Sequence, residues 1–387
     1  MFLLGVGMTS EMLTRRFLTV LAAFFASTAV TPCFSATDKP PIEWVTSEES
    51  LKIPDQHLPT LKNIPDHPGI VVGLRSTGEM RDRSFGIYDL ADGSQSVWEL
   101  PNELSKPIAS GSGIYGDITI DYAPKAQQFL LARGGELDLI QKDGSYTPLH
   151  LQMPGKLKPY QGMHDYALSS SGQFIAYSLY TRDREDQTRD LSDSAKPVDP
   201  FGKLYIDLFY QSTEGSQPLS LATGVDNYIP AWSPDDSKIA YSTRDGGFEI
   251  VDLNGTKVSS VSSPVMQGPS PQPITEIRWS PDGRKIGFLL KQQLYVSDES
   301  GVKLISFRHN DIEINNFAWS PTGDQFAFHS NFEAGTKCAL NFAHKFETGG
   351  FPCVQKYFLY TANVDGTNLK RITNDPEYWP REIFWLH

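Results

Sequence analysis

One short phrase recurs along this chain and constrains its fold more than any other feature. Its clearest copies are Ala231-Trp232-Ser233-Pro234-Asp235, Arg278-Trp279-Ser280-Pro281-Asp282-Gly283 and Ala318-Trp319-Ser320-Pro321-Thr322-Gly323. Seven positions after each Trp an apolar–small–aromatic triplet begins: Ile239-Ala240-Tyr241, Ile286-Gly287-Phe288 and Phe326-Ala327-Phe328. Degenerate copies keep the offset. Leu168-Ser169-Ser170-Ser171-Gly172 leads to Ile175-Ala176-Tyr177, and Tyr122-Ala123-Pro124 leads to Phe129-Leu130-Leu131. A unit repeated at such a period cannot bury its apolar face alone and must stack on its neighbours.

The chemistry within the phrase is strand, tight turn, strand. Pro presets φ, Ser and Asp bond nearby backbone, and Gly accepts φ > 0. A second element follows in each unit, an acidic or polar residue before Gly between two β-rich runs, which signals a hairpin. The pairs are Asp92-Gly93, Asp143-Gly144, Glu214-Gly215, Asn254-Gly255, Ser300-Gly301 and Asp365-Gly366. Six hairpins predict an all-β, six-bladed β-propeller of four-stranded antiparallel blades.

Only five copies of the Trp element precede the sixth hairpin. The sixth is expected at the C-terminus, where Arg381-Glu382-Ile383-Phe384-Trp385 would lie beside Ile70-Val71-Val72 and close the ring, removing an exposed sheet edge. A seventh, partial blade is the competing reading. The spacing between Trp-equivalent positions 122, 168, 232, 279, 319 and 385 places two insertions, at 181–203 and 331–355. The first is densely charged and reads as a solvated loop; calcium or another divalent metal is its less favoured use.

Ahead of the repeat, Arg15-Arg16 precede an apolar run from Phe17 to Val30 and then small residues around Ser35. Charged, apolar and cleavage regions in that order make residues 1–35 a signal peptide, and the run is short for a membrane span. The paired arginines leave the general and twin-arginine export routes both open. Residues 36–66 read as an extended N-terminal arm and 67–387 as the propeller. A mature chain from residue 36 carries 32 basic and 45 acidic residues, which excludes nucleic-acid or anionic-lipid binding through its overall field. In an oxidising compartment its two cysteines, Cys338 and Cys353, read as a disulfide.

The Trp-Ser-Pro-Asp-Gly turn with the later Asp-Gly hairpin is similar to the repeat of TolB-like propellers, and Val364-Asp365-Gly366-Thr367-Asn368-Leu369-Lys370-Arg371-Ile372-Thr373 matches the hairpin part especially well. The resemblance covers about residues 67–387. It implies a periplasmic or secreted protein that works by holding an envelope protein or peptide. TolB itself carries an α/β domain before its propeller, and the segment between signal and first blade here is too short for one.

No Gly-x-Ser-x-Gly elbow and no glycine-rich phosphate loop occurs in the sequence. Polar residues just ahead of the Trp-equivalent positions would gather at one mouth of the central channel: Asp117, His164, Asp165, Asp226, Glu276, Asn315 and Arg381. They are the candidate binding residues; His309 and His329 read as loop or strand-end residues. The expected function is a non-enzymatic binding or scaffold protein of the bacterial cell envelope, monomeric on its own, with no cofactor and no stable membrane insertion. The alternatives are a metal-assisted carbohydrate-active propeller enzyme, of which oligogalacturonate lyases are an example, and a glycan- or small-molecule-binding propeller.

Overall fold

Strand, turn and strand recur where the repeat places them. The computed structural model describes residues 42–45 and 58–386, apart from 77–82, 106–117, 134–135, 153, 155–162, 183–203, 224–229, 244–246, 263–273, 299–300, 306, 308–311, 335, 340–352, 376 and 379. The charged insertion therefore lies almost wholly outside the described residues.

The arm contributes β1 (Ile42–Val45) and β2 (Thr60–Leu61), followed by β3 (Ile70–Ser76), β4 (Arg83–Asp89), β5 (Gln95–Trp98) and a one-turn helix α1 (Asn102–Ser105). The second blade is β6 (Ile118–Ala123), β7 (Gln128–Arg133), β8 (Glu136–Gln141) and β9 (Tyr146–Leu149). The third is β10 (Met163–Leu168), β11 (Phe174–Arg182), β12 (Leu204–Ser212) and β13 (Leu219–Thr223). The fourth is β14 (Ala231–Trp232), β15 (Lys238–Ser242), β16 (Phe248–Asp252) and β17 (Lys257–Val261). The fifth is β18 (Ile274–Trp279), β19 (Ile286–Leu290), β20 (Gln293–Asp298) and β21 (Gly301–Leu304). The remaining strands are β22 (Ile314–Trp319), β23 (Gln325–Ser330), β24 (Thr336–Ala339), β25 (Cys353–Asn363), β26 (Lys370–Arg371), β27 (Glu377–Tyr378) and β28 (Arg381–Trp385).

Six antiparallel blades result. The last strand, β28, pairs with β3, Phe384 opposite Val72 and Trp385 opposite Val71, so the first blade reads β28-β3-β4-β5. The inner strands touch in the cyclic order β28, β6, β10, β14, β18, β22 and back to β28. The ring is closed by the C-terminal strand, as the sequence predicts. The arm attaches twice: β2 pairs with β5 of the first blade, and β1 lies parallel to β24 on the sixth-blade sheet.

Each blade is buried on both faces, so the triplets read as continuous apolar runs rather than alternating ones. Six buried clusters, one per blade-to-blade interface, account for the core of the described residues. The small middle residue of the triplet has a steric cause: a Cβ on Gly287 would lie 2.8 Å from the Phe317 ring of the next blade. The Trp has a polar one. The indole N–H of Trp232 donates to the Ala167 carbonyl at 3.0 Å, Trp279 to Ala231 at 3.1 Å and Trp319 to Arg278 at 3.1 Å. Each Trp thus ties its blade to the residue just before the Trp-equivalent position of the preceding blade.

The turns confirm their sequence chemistry. Ser280 accepts from the Lys285 N–H at 2.9 Å and donates to Asp282 at 2.6 Å, closing the turn from inside. At the fourth blade Asp236 stands where its neighbours have Gly, at φ +59°. Its carboxylate offsets that strain by accepting from the Ser170 and Ser171 N–H groups of the third blade, at 2.7 and 3.0 Å.

The seam between the sixth and first blades carries a buried polar latch as well as an apolar cluster. Tyr88 of β4 donates to Glu377 of β27 at 2.6 Å; His329 of β23 lies 3.5 Å from the same carboxylate oxygen and 2.9 Å from Asn316 of β22. His329 is near its strand end as expected, but it is wholly buried rather than peripheral.

Beyond this seam, β24 and the first half of β25 form a hairpin in which Cys338 is the register partner of Cys353.

Two outcomes test the packing. Gly287→Ala should cost about 1–3 kcal/mol in denaturant unfolding, the usual penalty for overpacking a closed interface. Deleting residues 381–387 should open the ring and abolish a single cooperative transition.

Candidate functional site

The inner strands do more than line a channel; most of them carry the same irregularity. A register shift occurs between His164 and Tyr166 in β10, Ile274 and Glu276 in β18, Ile314 and Asn316 in β22, and Arg381 and Ile383 in β28. The bulged residues are Asp165, Thr275, Asn315 and Glu382, and Asp165 takes φ +50°. A bulge re-aims a side chain and is a common device beside functional sites.

Inside the ring is a cavity of about 670 Å³, lined from the bulge residues Thr275, Asn315 and Glu382 at one level to the turn prolines Pro124, Pro234 and Pro281 at the other. That volume falls in the ordinary range of ligand pockets. Between these levels the residue just before each Trp-equivalent position faces the cavity, one from every blade. In ring order from the first blade they are Phe384, Asp121, Ala167, Ala231, Arg278 and Ala318. Three alanines leave space; the other three carry the chemistry.

Arg278 is held from two sides. Its Nε donates to Glu276 at 2.5 Å, and its guanidinium lies over the Phe384 ring at 4.6 Å, on the far side of Ala318 in ring order. Glu276 also accepts from the Phe317 N–H at 3.2 Å, so both its oxygens are engaged. Asp121, three blades from Arg278, accepts from the Leu168 N–H at 2.6 Å. Burial pushes the Asp121 carboxyl up to about 6, against the opposing pull of that N–H and of Arg278. Burial likewise raises Glu276, with Arg278 acting against it. At the bulge of β10, burial pushes Asp165 up to about 7 although the Ser178 hydroxyl donates to it at 3.3 Å.

Of the residues expected at the channel mouth, Glu276, Asn315 and Arg381 line this cavity. Asn315 donates to the Pro380 carbonyl at 2.6 Å, which fastens β22 to the closing segment. Asp165 is on the neighbouring bulge, and His164 precedes it on β10. Asp117 and Asp226 lie outside the described residues. Sequence reasoning missed Asp121, Arg278 and Phe384. The repeat itself held the signal, because these three share one position in the aligned units and Arg278 follows Glu276 at the strand period of two.

No family model and no curated protein matches the sequence. Among solved structures, the chain is similar to a candidate TolB from Agrobacterium tumefaciens, with a TM-score of 0.49 and 18% identity over 79% of this chain and 91% of that one. TolB structures are thus among those its fold is similar to. A second is TolB from Acinetobacter baumannii, with a TM-score of 0.49 and 12% identity over 82% of this chain and 66% of that one. An oligogalacturonate lyase from Vibrio parahaemolyticus has a TM-score of 0.43 and 11% identity over 79% of each chain. These likenesses are of fold; the six-bladed architecture rests on the strand pairing of the chain itself.

The Asp121 environment predicts a pH effect with a defined sign. A carboxyl whose folded pKa lies above its unfolded value costs stability when ionised, and the cost is relieved as pH falls through about 6 toward 4. Asp121→Asn keeps an acceptor for Leu168 but does not titrate. The difference in unfolding free energy between wild type and variant should change by about 2 kcal/mol between pH 7 and pH 4, wild type gaining at the acid end.

Proposed function

We propose that this is an exported binding protein of the bacterial cell envelope that receives part of a protein or peptide partner in its axial cavity. The observation that carries the reading is a single cavity built by all six inner strands, with aromatic and proline walls and a few charged groups inside. Apolar walls that supply area around a small number of placed polar groups are what ligand recognition requires. The repeat resemblance noted in the sequence points the same way. Among the described residues no helix is long and apolar enough to cross a membrane.

Export accounts for the N-terminus, and the mature protein purified from the envelope fraction should begin at Ala36 by N-terminal sequencing. Retention of the first 35 residues would remove the export reading. In that compartment Cys338 and Cys353, set opposite each other on β24 and β25, form a disulfide worth about 3 kcal/mol by the loop-closure model. A non-reducing peptide map should show the two cysteine peptides linked, and linkage should vanish on reduction.

The binding reading is tested by placing a photoreactive amino acid at Lys125, which lines the cavity beside the turn prolines. Irradiation in cells should yield a reproducible crosslink to one envelope protein. That crosslink should disappear when Ala231→Trp fills the cavity wall, in a variant that still unfolds cooperatively. A crosslink unaffected by filling the cavity would place the partner elsewhere.

A further inference from the structure

We infer that the axial cavity is a carboxylate site, in which the two terminal nitrogens of Arg278 receive the carboxylate of the ligand. The inference rests on the binding reading above and names the chemistry of what enters.

Arg278 is positioned as a donor with its working end left open. The Glu276 carboxylate takes the Nε–H and Phe384 covers one face of the guanidinium. Neither terminal nitrogen has a hydrogen-bond partner among the described residues, although Arg278 lines the cavity and its side chain is only 20% exposed. An arginine desolvated to that degree normally fills its donors, since each unfilled one forfeits a charge-assisted bond. Here four N–H groups converge on a cavity large enough to hold a ligand. A planar carboxylate matches that fork in a bidentate way, which a lysine ammonium in the same place could not reproduce.

The cavity lining is balanced in charge, three basic against three acidic groups, even though the whole chain is acidic. Lys125 and Arg381 also line the cavity, from the turn after β6 and from β28. The acidic groups facing it are Asp121 on β6, Glu276 on β18 and Glu382 on β28. Burial raises the first two, so their negative charge is the part of the field most easily lost as pH falls. Alanines at positions 167, 231 and 318 keep the space around the fork clear, and the indoles of Trp232, Trp279 and Trp319 supply apolar wall. An overall negative surface gives no long-range pull on anions, so selectivity must come from these close contacts.

A carboxylate of this kind could belong to a peptide, at its C-terminus or on an acidic side chain, or to a small organic acid. Two matched pairs of probes separate the sources: N-acetyl-Ala-Pro-Ala-Phe with a free or amidated C-terminus, and benzoate with benzamide. Each is titrated into the purified mature protein while the indole N–H signals of the tryptophans are followed by NMR. At least one acid should bind about tenfold or more tightly than its neutral twin, the size expected for a charge-assisted pair. The preference should strengthen from pH 8 to pH 6 as Asp121 takes up a proton.

Arg278→Gln should abolish the preference, and Arg278→Lys should retain only part of it. Because Arg278→Gln strands Glu276, the double variant Glu276→Gln with Arg278→Gln provides the folded control and should also show none. Tighter binding of the peptide acid assigns the site to a peptide; tighter binding of benzoate assigns it to an organic acid. Equal binding of acid and amide in both pairs, or a preference that survives Arg278→Gln, overturns the inference. If both pairs fail while the cavity-dependent crosslink at Lys125 persists, the binding reading stands and the carboxylate assignment falls. If an acid binds as expected but the crosslink is absent, the reverse holds.

Discussion

A stack of blades buries its faces only if it has no first and last member, and here one strand supplies that condition. β28 comes from the end of the chain and pairs with β3 near its beginning, so the first blade is complete only when the last residues arrive. Without it, the apolar clusters at the seams of the first blade with the second and the sixth would lack Phe384 and Ile383, each at most 5% exposed. The cavity would lack its Phe384 wall as well, and Arg278 the ring it lies against. Fold and site therefore depend on the same pairing.

The seam also carries a buried polar cluster. Tyr88, Glu377, His329 and Asn316 meet there, and the Pro380 carbonyl accepts from both Asn315 and Asn316, at 2.6 and 3.3 Å. Apolar contacts hold any two blades at roughly the right distance, but they are tolerant of sliding. Directional bonds to the closing segment fix its register. The first and sixth blades also receive the extra strands β2 and β1 from the arm, which cover sheet edges that would otherwise stand open.

Within the ring, one aligned position does two jobs. Its carbonyl accepts the indole of the next blade at Ala167, Ala231 and Arg278, while its side chain faces the cavity. The backbone at that position is thus committed to the fold and the side chain is left to vary. Three copies are alanine, and Asp, Arg and Phe occupy the others. A repeat that fixes this strand through main-chain bonds can change its binding chemistry one blade at a time, because the bond that ties neighbouring blades runs through the carbonyl and not through the side chain.

The local grammar was enough to determine the architecture. Ser-Pro-Asp-Gly and Asp-Gly turns, a Trp before the first and an apolar triplet after it dictate strand order and blade number, because turn geometry and two-faced burial are properties of neighbouring residues. The closing strand was legible for the same reason, as a unit missing from one end and present at the other. Tertiary structure alone decided the site. Glu276 and Arg381 were visible as polar residues on inner strands, but the distance at which Arg278 meets Phe384 is set by ring diameter, and the elevated carboxyl of Asp121 by the depth of its burial. Neither is a property of any window of sequence, since each is fixed by groups from blades that lie far apart along the chain.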